Sequence, residues 1–375
     1  MERSRLEAAI EEFQSLLPYT QGAYASRAWG HKLHSLCSYQ GKFKPAMAHW
    51  LVKSFSTEGG RVLDPLGGVG TVPFEAALLG RRAITNDKSP LAATVGAAKM
   101  SPPSLDEALE QISRLEKRML TIDLSAEDLV EAEFGLNASV SAYYHPETLL
   151  EVLKARKVFM TEGVQGDAFM WASLLHVLHG NRPYALSRTS HPITPFNPTG
   201  AYVYKSLIER LQNRVTSALA APLPPSFLRG EAFHGDFRDL PDKIKEPVDT
   251  IITSPPFIGM RFDRPNWLRM WFCGWQATDF HTKSLDFLER QQTKSTSVYI
   301  EFFTTCAQLL KPGGVMAVHI GSGGRGDLVG DLRQLGKGHL ELVGETVENV
   351  EQVSNHGLKD KGLTKHHHML FFQRA

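Results

Sequence analysis

The spacing of apolar and polar positions changes regime along the chain. Residues 1–36 read as helical, and SYQGKFKPAMAHWLVKSF then runs from a Gly/Pro-marked loop into a helix that stops near Glu58-Gly59-Gly60. In RVLDPLGGVGTVPFEAALLGRRAITNDKSPLAATVGAAKM the pattern predicts a strand at Arg61 to Leu63, a glycine-rich turn and a helix from Val72 to Leu79. A second strand at Ala83 to Thr85 and another helix from about Pro90 follow. A βαβ unit with a further helix is the beginning of a doubly wound, mostly parallel α/β sheet of Rossmann type. From about 104 to 222 the strand signal fades and amphipathic helical patterns dominate, broken by the proline-bearing stretch SRTSHPITPFNPTG. This predicts a mainly helical insertion. Alternation then resumes, with a strand near Ala232 to His234, a strand over 248–252 and a helix around 298–310. The turn Lys311-Pro312-Gly313-Gly314 leads into a strand from Val315 to Ile320, and HHHMLFFQRA supplies the last one.

These shifts divide the chain into an N-terminal helical segment (1–38), a first α/β half (39–103), the insertion (104–230) and a second α/β half (231–375). With 42% hydrophobic and 22% charged residues the chain can bury a substantial core. No apolar run approaches the ~18 to 20 residues of a membrane span. MERSRLEAAIEEF is a charged amphipathic pattern rather than a secretion signal, so a soluble, cytoplasmic protein without a membrane partner is expected.

Cys37, Cys273 and Cys306 are far apart and form no CxxC pair, which argues against a disulfide framework and a zinc knuckle. No metal is expected, and His366, His367 and His368 do not change that, because neighbours on a strand face opposite ways. Net charge is only +1, yet residues 176–229 hold six Lys/Arg against the single carboxylate Glu209. Such a segment suits a phosphate backbone or a solvated helix face.

Three stretches carry candidate chemistry. In VLDPLGGVGT a strand ends at Asp64, and Pro65, Gly67, Gly68, Gly70 and Thr71 form a turn that lets backbone approach a ligand at a helix N-terminus. Pro73 occupies the third glycine position of GxGxxG, and no P-loop is present, which disfavours a dinucleotide or triphosphate site. Asp87 ends the next strand, where a carboxylate accepts from both ribose hydroxyls of a nucleoside, and Asp236 follows a later strand, where it suits an adenine amino group. The third is Ser254-Pro255-Pro256-Phe257. Consecutive prolines cannot continue a ladder, and without N–H groups they leave carbonyl acceptors facing outward. Ser254 adds an acceptor and Phe257 a flat apolar face, together a slot for a planar ring bearing an NH2 group. Acceptors on both N–H bonds favour a pyramidal nitrogen whose lone pair can attack an electrophile.

Asp64-Pro65 with its glycine turn, Asp87, Asp236 and the strand ending in SPPF, in this order, resemble the amino-group S-adenosylmethionine-dependent DNA methyltransferases over residues 39–100 and 231–320. DPLGGVGT is similar to that family's DPFxGxGT, with Leu66 for Phe, and YQGKFKP resembles its preceding cofactor motif, which implies cofactor contacts at Tyr39, Lys42, Phe43 and Pro45. SPPF is similar to the cytosine-N4 subgroup. The resemblance therefore implies S-adenosylmethionine as cofactor, double-stranded DNA with a flipped cytosine as substrate, an accompanying restriction endonuclease as partner, and association with the nucleoid in a bacterium. Arg261, Asp263, Arg264 and Arg269 after the turn, and Arg188 and His191 in the insertion, are the candidate substrate contacts. The alternatives are an adenine-N6 DNA methyltransferase, a tRNA or rRNA guanine-N2 methyltransferase, and a catalytically silent nucleic-acid-binding protein on the same fold.

Overall fold

Val62-Leu63, Ala83-Ile84 and Ile251-Ile252 are apolar pairs whose neighbours face opposite sides of a strand, so a sheet built on them needs cover on both faces. The computed structural model describes residues 1–26, 28–164, 166–323, 326–350 and 364–375. The pairs lie in β1 (Arg61–Asp64), β2 (Arg82–Asp87) and β4 (Val248–Thr253). With β3 (Glu231–His234), β5 (Leu310–Ser322), β6 (Glu341–Asn349) and β7 (His366–Gln373) they form a seven-stranded sheet in the order β3-β2-β1-β4-β5-β7-β6. Strands β1 to β5 run parallel, and β7 is antiparallel to both β5 and β6.

Alternate residues feed the two sides of the core. Val62, Ala83, Ile252 and Phe371 join helices Pro45–Phe55, Thr71–Leu78 and Pro90–Met100 on one face. Leu63, Ile84, Ile251 and Phe372 join Val298–Leu309 and Leu328–Gly336 on the other. This is a mixed, mostly parallel, doubly wound sheet with helices on both faces and a mainly helical insertion between β2 and β3.

The insertion contributes helices Leu105–Thr121, Pro146–Glu162, Ala168–Val177 and Leu207–Leu219. Helix Ala168–Val177 is buried from Phe169 to its end and packs on Pro90–Met100. The insertion also grips helix Trp267–Phe272 beyond β4. Trp267 Nε1 donates to the Pro195 carbonyl at 3.1 Å, and Arg156 Nε to the Trp271 carbonyl at 2.9 Å.

Several local expectations need correction. Residues 1–36 are not one helical segment: helix Arg3–Leu16 ends where Leu17 turns left-handed (φ 40°) before Pro18, and short 3-10 turns follow. Lys311-Pro312-Gly313-Gly314 lies inside β5, whose pairing with β4 shifts register between Val248 and Thr250. β6 escapes the sequence pattern because most of its residues are only half-buried, which blurs the alternation. No helix among the described residues is long and apolar enough to cross a membrane.

Candidate active site

In a parallel sheet the carboxyl ends of the strands share one edge, and the order reverses between β1 and β4, where a crevice opens. Pairing of Asp64 with Thr85, Asp87 with His234, and Thr253 with Val318 brings the ends of β1 to β5 to that edge. A cleft opens there. Of the residues singled out in the sequence, Tyr39, Lys42, Phe43, Asp64, Gly67, Gly68, Thr71, Asp87, Ser254 and Pro256 line it.

The glycine turn is shaped by close backbone approach. A Cβ on Gly67 would collide with Thr85 Oγ1, and one on Gly70 (φ 68°) would come within 3.2 Å of Gly96 Cα. Lys99, fully buried, holds the turn from behind by donating to the Val69 carbonyl at 2.6 Å, and burial lowers its ammonium to about 7. Asp87 accepts from the Gly68 and Ser89 backbone N–H groups, each at 2.8 Å. Burial nevertheless pushes its carboxyl up to about 6, and that of Asp64 up to about 7. Pro45, Pro65 and Gly70 do not line the cleft. Pro45 and Gly70 instead mark the starts of helices Pro45–Phe55 and Thr71–Leu78.

Asp236 lines an adjoining hollow of about 280 Å³ that shares Leu66, Lys88 and Leu288 with the cleft. Its carboxylate meets Lys88 Nζ at 2.9 Å and Arg238 at 3.1 Å. Partial burial opposes ionisation there, but these cations hold it below the usual carboxylate range. The whole fits a nucleoside sulfonium: carboxylates at the ends of β1 and β2, a glycine cradle, and the buried Thr71 Oγ1 and Glu289 Oε1, both without a hydrogen-bond partner among the described residues.

β4 ends into the Ser-Pro-Pro-Phe turn. Gln292 Nε2 donates to the Pro256 carbonyl at 2.9 Å, and the buried Tyr299 Oη donates to Gln292 Oε1 at 2.8 Å, so the turn is braced through side chains. Ser254 Oγ lies 3.2 Å from His319 Nδ1 on β5. Pro255 is buried, and Phe257 packs beside His319 and His367, with ring centres 5.6 Å and 6.1 Å away, rather than lining the cleft. On the opposite wall Tyr39 stacks on Phe262 at 5.7 Å and 12°.

Glu289, Phe262, Phe287, His319, Gln292 and Tyr299 escape sequence reasoning. Phe262 lies in GMRFDRPNWLRMWFCGW, which resembles the cytosine-N4 subgroup's continuation after the turn, and the other five sit outside recognisable motifs. Glu289 is buried in the cleft wall, and burial pushes its carboxyl up to about 7.

The expected substrate contacts scatter. Arg269 is fully buried: Nε donates to the Leu175 carbonyl at 2.9 Å, and the other nitrogens reach Ser38 O, Asn266 Oδ1 and Pro192 O. It is a clamp between the insertion and the second α/β half, not a phosphate contact. Asp263 is buried too and pairs bidentately with Arg261 at 2.8 and 2.5 Å, so its carboxylate is already taken. Arg264 is half-buried beside them. Arg188 donates to Gly200 O and Ala142 O and lies over the Tyr202 ring, and His191 Nδ1 accepts from Ile193 N and Thr194 N. None of these six lines the cleft. His367 turns toward His319 while His368 bonds Glu345 and Ser322, as strand alternation requires. Among the described residues no group of His, Cys, Asp and Glu could hold a metal ion.

Residues 34–139 match the family model of UPF0020, the RMKL-like methyltransferase domain. No curated protein matches significantly. Similar solved structures include TrmN from Thermus thermophilus, 14% identical, with a TM-score of 0.34, over 92% of this chain and 52% of that one. This chain thus spans about half of TrmN. The rRNA methyltransferase aviRa from Streptomyces viridochromogenes is 12% identical, with a TM-score of 0.37, over 94% and 93% of the two chains. A TehB-like SAM-dependent methyltransferase from Corynebacterium glutamicum is 10% identical, with a TM-score of 0.31, over the full length of both. The expectation of a cytosine-N4 DNA methyltransferase is corrected by the family match: the model fitting the glycine turn and Asp87 is the RMKL-like domain, which carries no cytosine-N4 assignment. SPPF was too short a signature to fix the base or the polymer. The stretch that carries the glycine turn and Asp87 is thus similar to a methyltransferase domain.

Proposed function

We propose that this protein is an S-adenosylmethionine-dependent methyltransferase that acts on RNA, at the exocyclic N2 amine of a guanine in ribosomal or transfer RNA. The observation that carries the reading is the Ser-Pro-Pro-Phe turn, whose Ser254 and Pro256 line the same cleft as the glycine turn of the RMKL-like stretch. Relatives of that domain among rRNA and tRNA methyltransferases support RNA as the polymer. When bound, the cofactor supplies a methyl carbon on a positively charged sulfur and leaves as a neutral thioether.

The chain's own residues do the rest. Asp87 and Asp236 hold the nucleoside, and Tyr39, Lys42 and Phe43 close the methionine end. Ser254 Oγ and the Pro255 carbonyl accept the N–H bonds of the amine, turning its lone pair out of the ring. After the nitrogen has taken the methyl it sheds one proton to water, and no strongly basic group is required. A base reaches this cleft only when it is unstacked, which suits an RNA loop. The loop over 187–200, anchored on Trp267 and carrying Arg188, His191 and the exposed Phe196, with exposed Tyr202 beside it, is the surface we assign to flanking nucleotides.

Labelled S-adenosylmethionine is incubated with rRNA, tRNA and DNA, and the products are digested to nucleosides. N2-methylguanosine is expected. Label confined to DNA nucleosides, or no transfer, overturns the reading.

A further inference from the structure

We propose that His319 is a positioning residue: its Nδ1 accepts the Ser254 hydroxyl proton, so that only oxygen lone pairs face the incoming amine. The inference rests on the amine-transfer reading and deepens it.

The argument begins with the hydroxyl. A serine Oγ both donates and accepts, whereas an amine presented through its N–H bonds needs an acceptor. Ser254 can serve only if its own proton is directed elsewhere. The polar atom placed for this is His319 Nδ1, 3.2 Å from Ser254 Oγ. Register makes the contact, because pairing of Thr253 with Val318 sets the next residue of each chain side by side.

The imidazole is held in place for that task. His319 is buried, with Phe43, Phe257 and His367 ring centres at 5.0, 5.6 and 4.9 Å. Burial, reinforced by His367 and His368, keeps the ring neutral, so one nitrogen retains a lone pair. Among the described residues Nε2 has no hydrogen-bond partner, and the His367 ring stands nearly perpendicular to the imidazole (79°), as a contact between an N–H and an aromatic face requires. The proton then sits on Nε2 and the lone pair on Nδ1. Ser254 Oγ is the hydrogen-bond partner of Nδ1 among the described residues.

His319→Phe keeps the ring volume and removes Nδ1, and His319→Asn returns a polar atom near the Nδ1 position. We expect His319→Phe to lower kcat about tenfold to a hundredfold, with KM for RNA and cofactor affinity unchanged within about twofold. His319→Asn should recover part of the loss, and Ser254→Ala/His319→Phe should be no slower than Ser254→Ala alone. Wild-type kcat in His319→Phe, or losses that multiply in the double variant, overturns the proposal. A readout independent of substrate is the 15N NMR of His319. An unprotonated Nδ1 whose shift moves in Ser254→Ala supports it, and a protonated Nδ1 overturns it. If the wild type methylates no RNA, the functional reading fails, while the NMR still decides the orientation of Ser254.

Discussion

Gly321 lies directly against the ring of Phe257: a Cβ there would stand 2.5 Å from Cε2 and 2.7 Å from Cδ2. The backbone of β5 therefore sets where the aromatic side chain of the Ser-Pro-Pro-Phe turn can rest. Gly321→Ala must push the ring away, since real contacts are never that short. Overpacking of this kind costs about 1–3 kcal/mol. The expected outcome is loss of methyl transfer with cofactor affinity retained, measured by calorimetry beside an activity assay. Normal turnover in Gly321→Ala would mean that the position of Phe257 does not matter.

The brace behind the same turn makes a second prediction. Tyr299 Oη is fully buried and donates to Gln292 Oε1, which frees Gln292 Nε2 to hold the Pro256 carbonyl. Tyr299→Phe leaves that buried oxygen unpaired, at about 1–3 kcal/mol. Urea unfolding should show the loss as a lower midpoint with an unchanged slope, and kcat should fall with it. A midpoint equal to wild type would show that Gln292 finds another donor.

Arg269 joins Ser38, Leu175 and Pro192 to helix Trp267–Phe272 through buried hydrogen bonds. Arg269→Met keeps much of the apolar stem but orphans these carbonyls, so destabilisation of about 2–5 kcal/mol is expected. RNA affinity measured well below the melting temperature should stay near wild type. A variant of normal stability with weakened RNA binding would restore the phosphate contact that burial argues against.

How much was legible in the chain follows from how local each signal is. Asp64 with its glycine turn, Asp87 and Ser254-Pro255-Pro256 are strand ends written in consecutive residues, and the sheet brings them to one edge. His319 and Glu289 reach the same cleft region through strand register and a short helix far along the chain, so no spacing announces them. Arg269 was misread for a related reason. The i, i+4 spacing of Trp267 and Trp271 predicts a helix, but Arg269 is buried as completely as they are, because the insertion covers the remaining faces. Periodicity marks an apolar face; it does not show when a polar one is covered as well.

The carboxylates of the cleft make cofactor binding depend on pH. In the free protein burial raises Asp64 to about 7 and Asp87 to about 6. Each folded value lies above the ordinary ~4 of an unfolded aspartate. The stability these groups contribute is thus fully present below pH ~4 and is lost as pH rises through about 6 to 7. A cationic cofactor favours the ionised forms and lowers both values, so binding releases protons in that window. Affinity should therefore increase from pH 5.5 to 7.5 and level off above. Calorimetry in buffers of different ionisation enthalpy should show proton release near pH 6.5 that vanishes by pH 8.5. Asp64→Asn should flatten the upper part of the profile and gain stability relative to wild type as pH rises toward 7. Binding that weakens with rising pH, or an Asp64→Asn profile that overlays wild type, would mean that Asp64 does not face the positive charge.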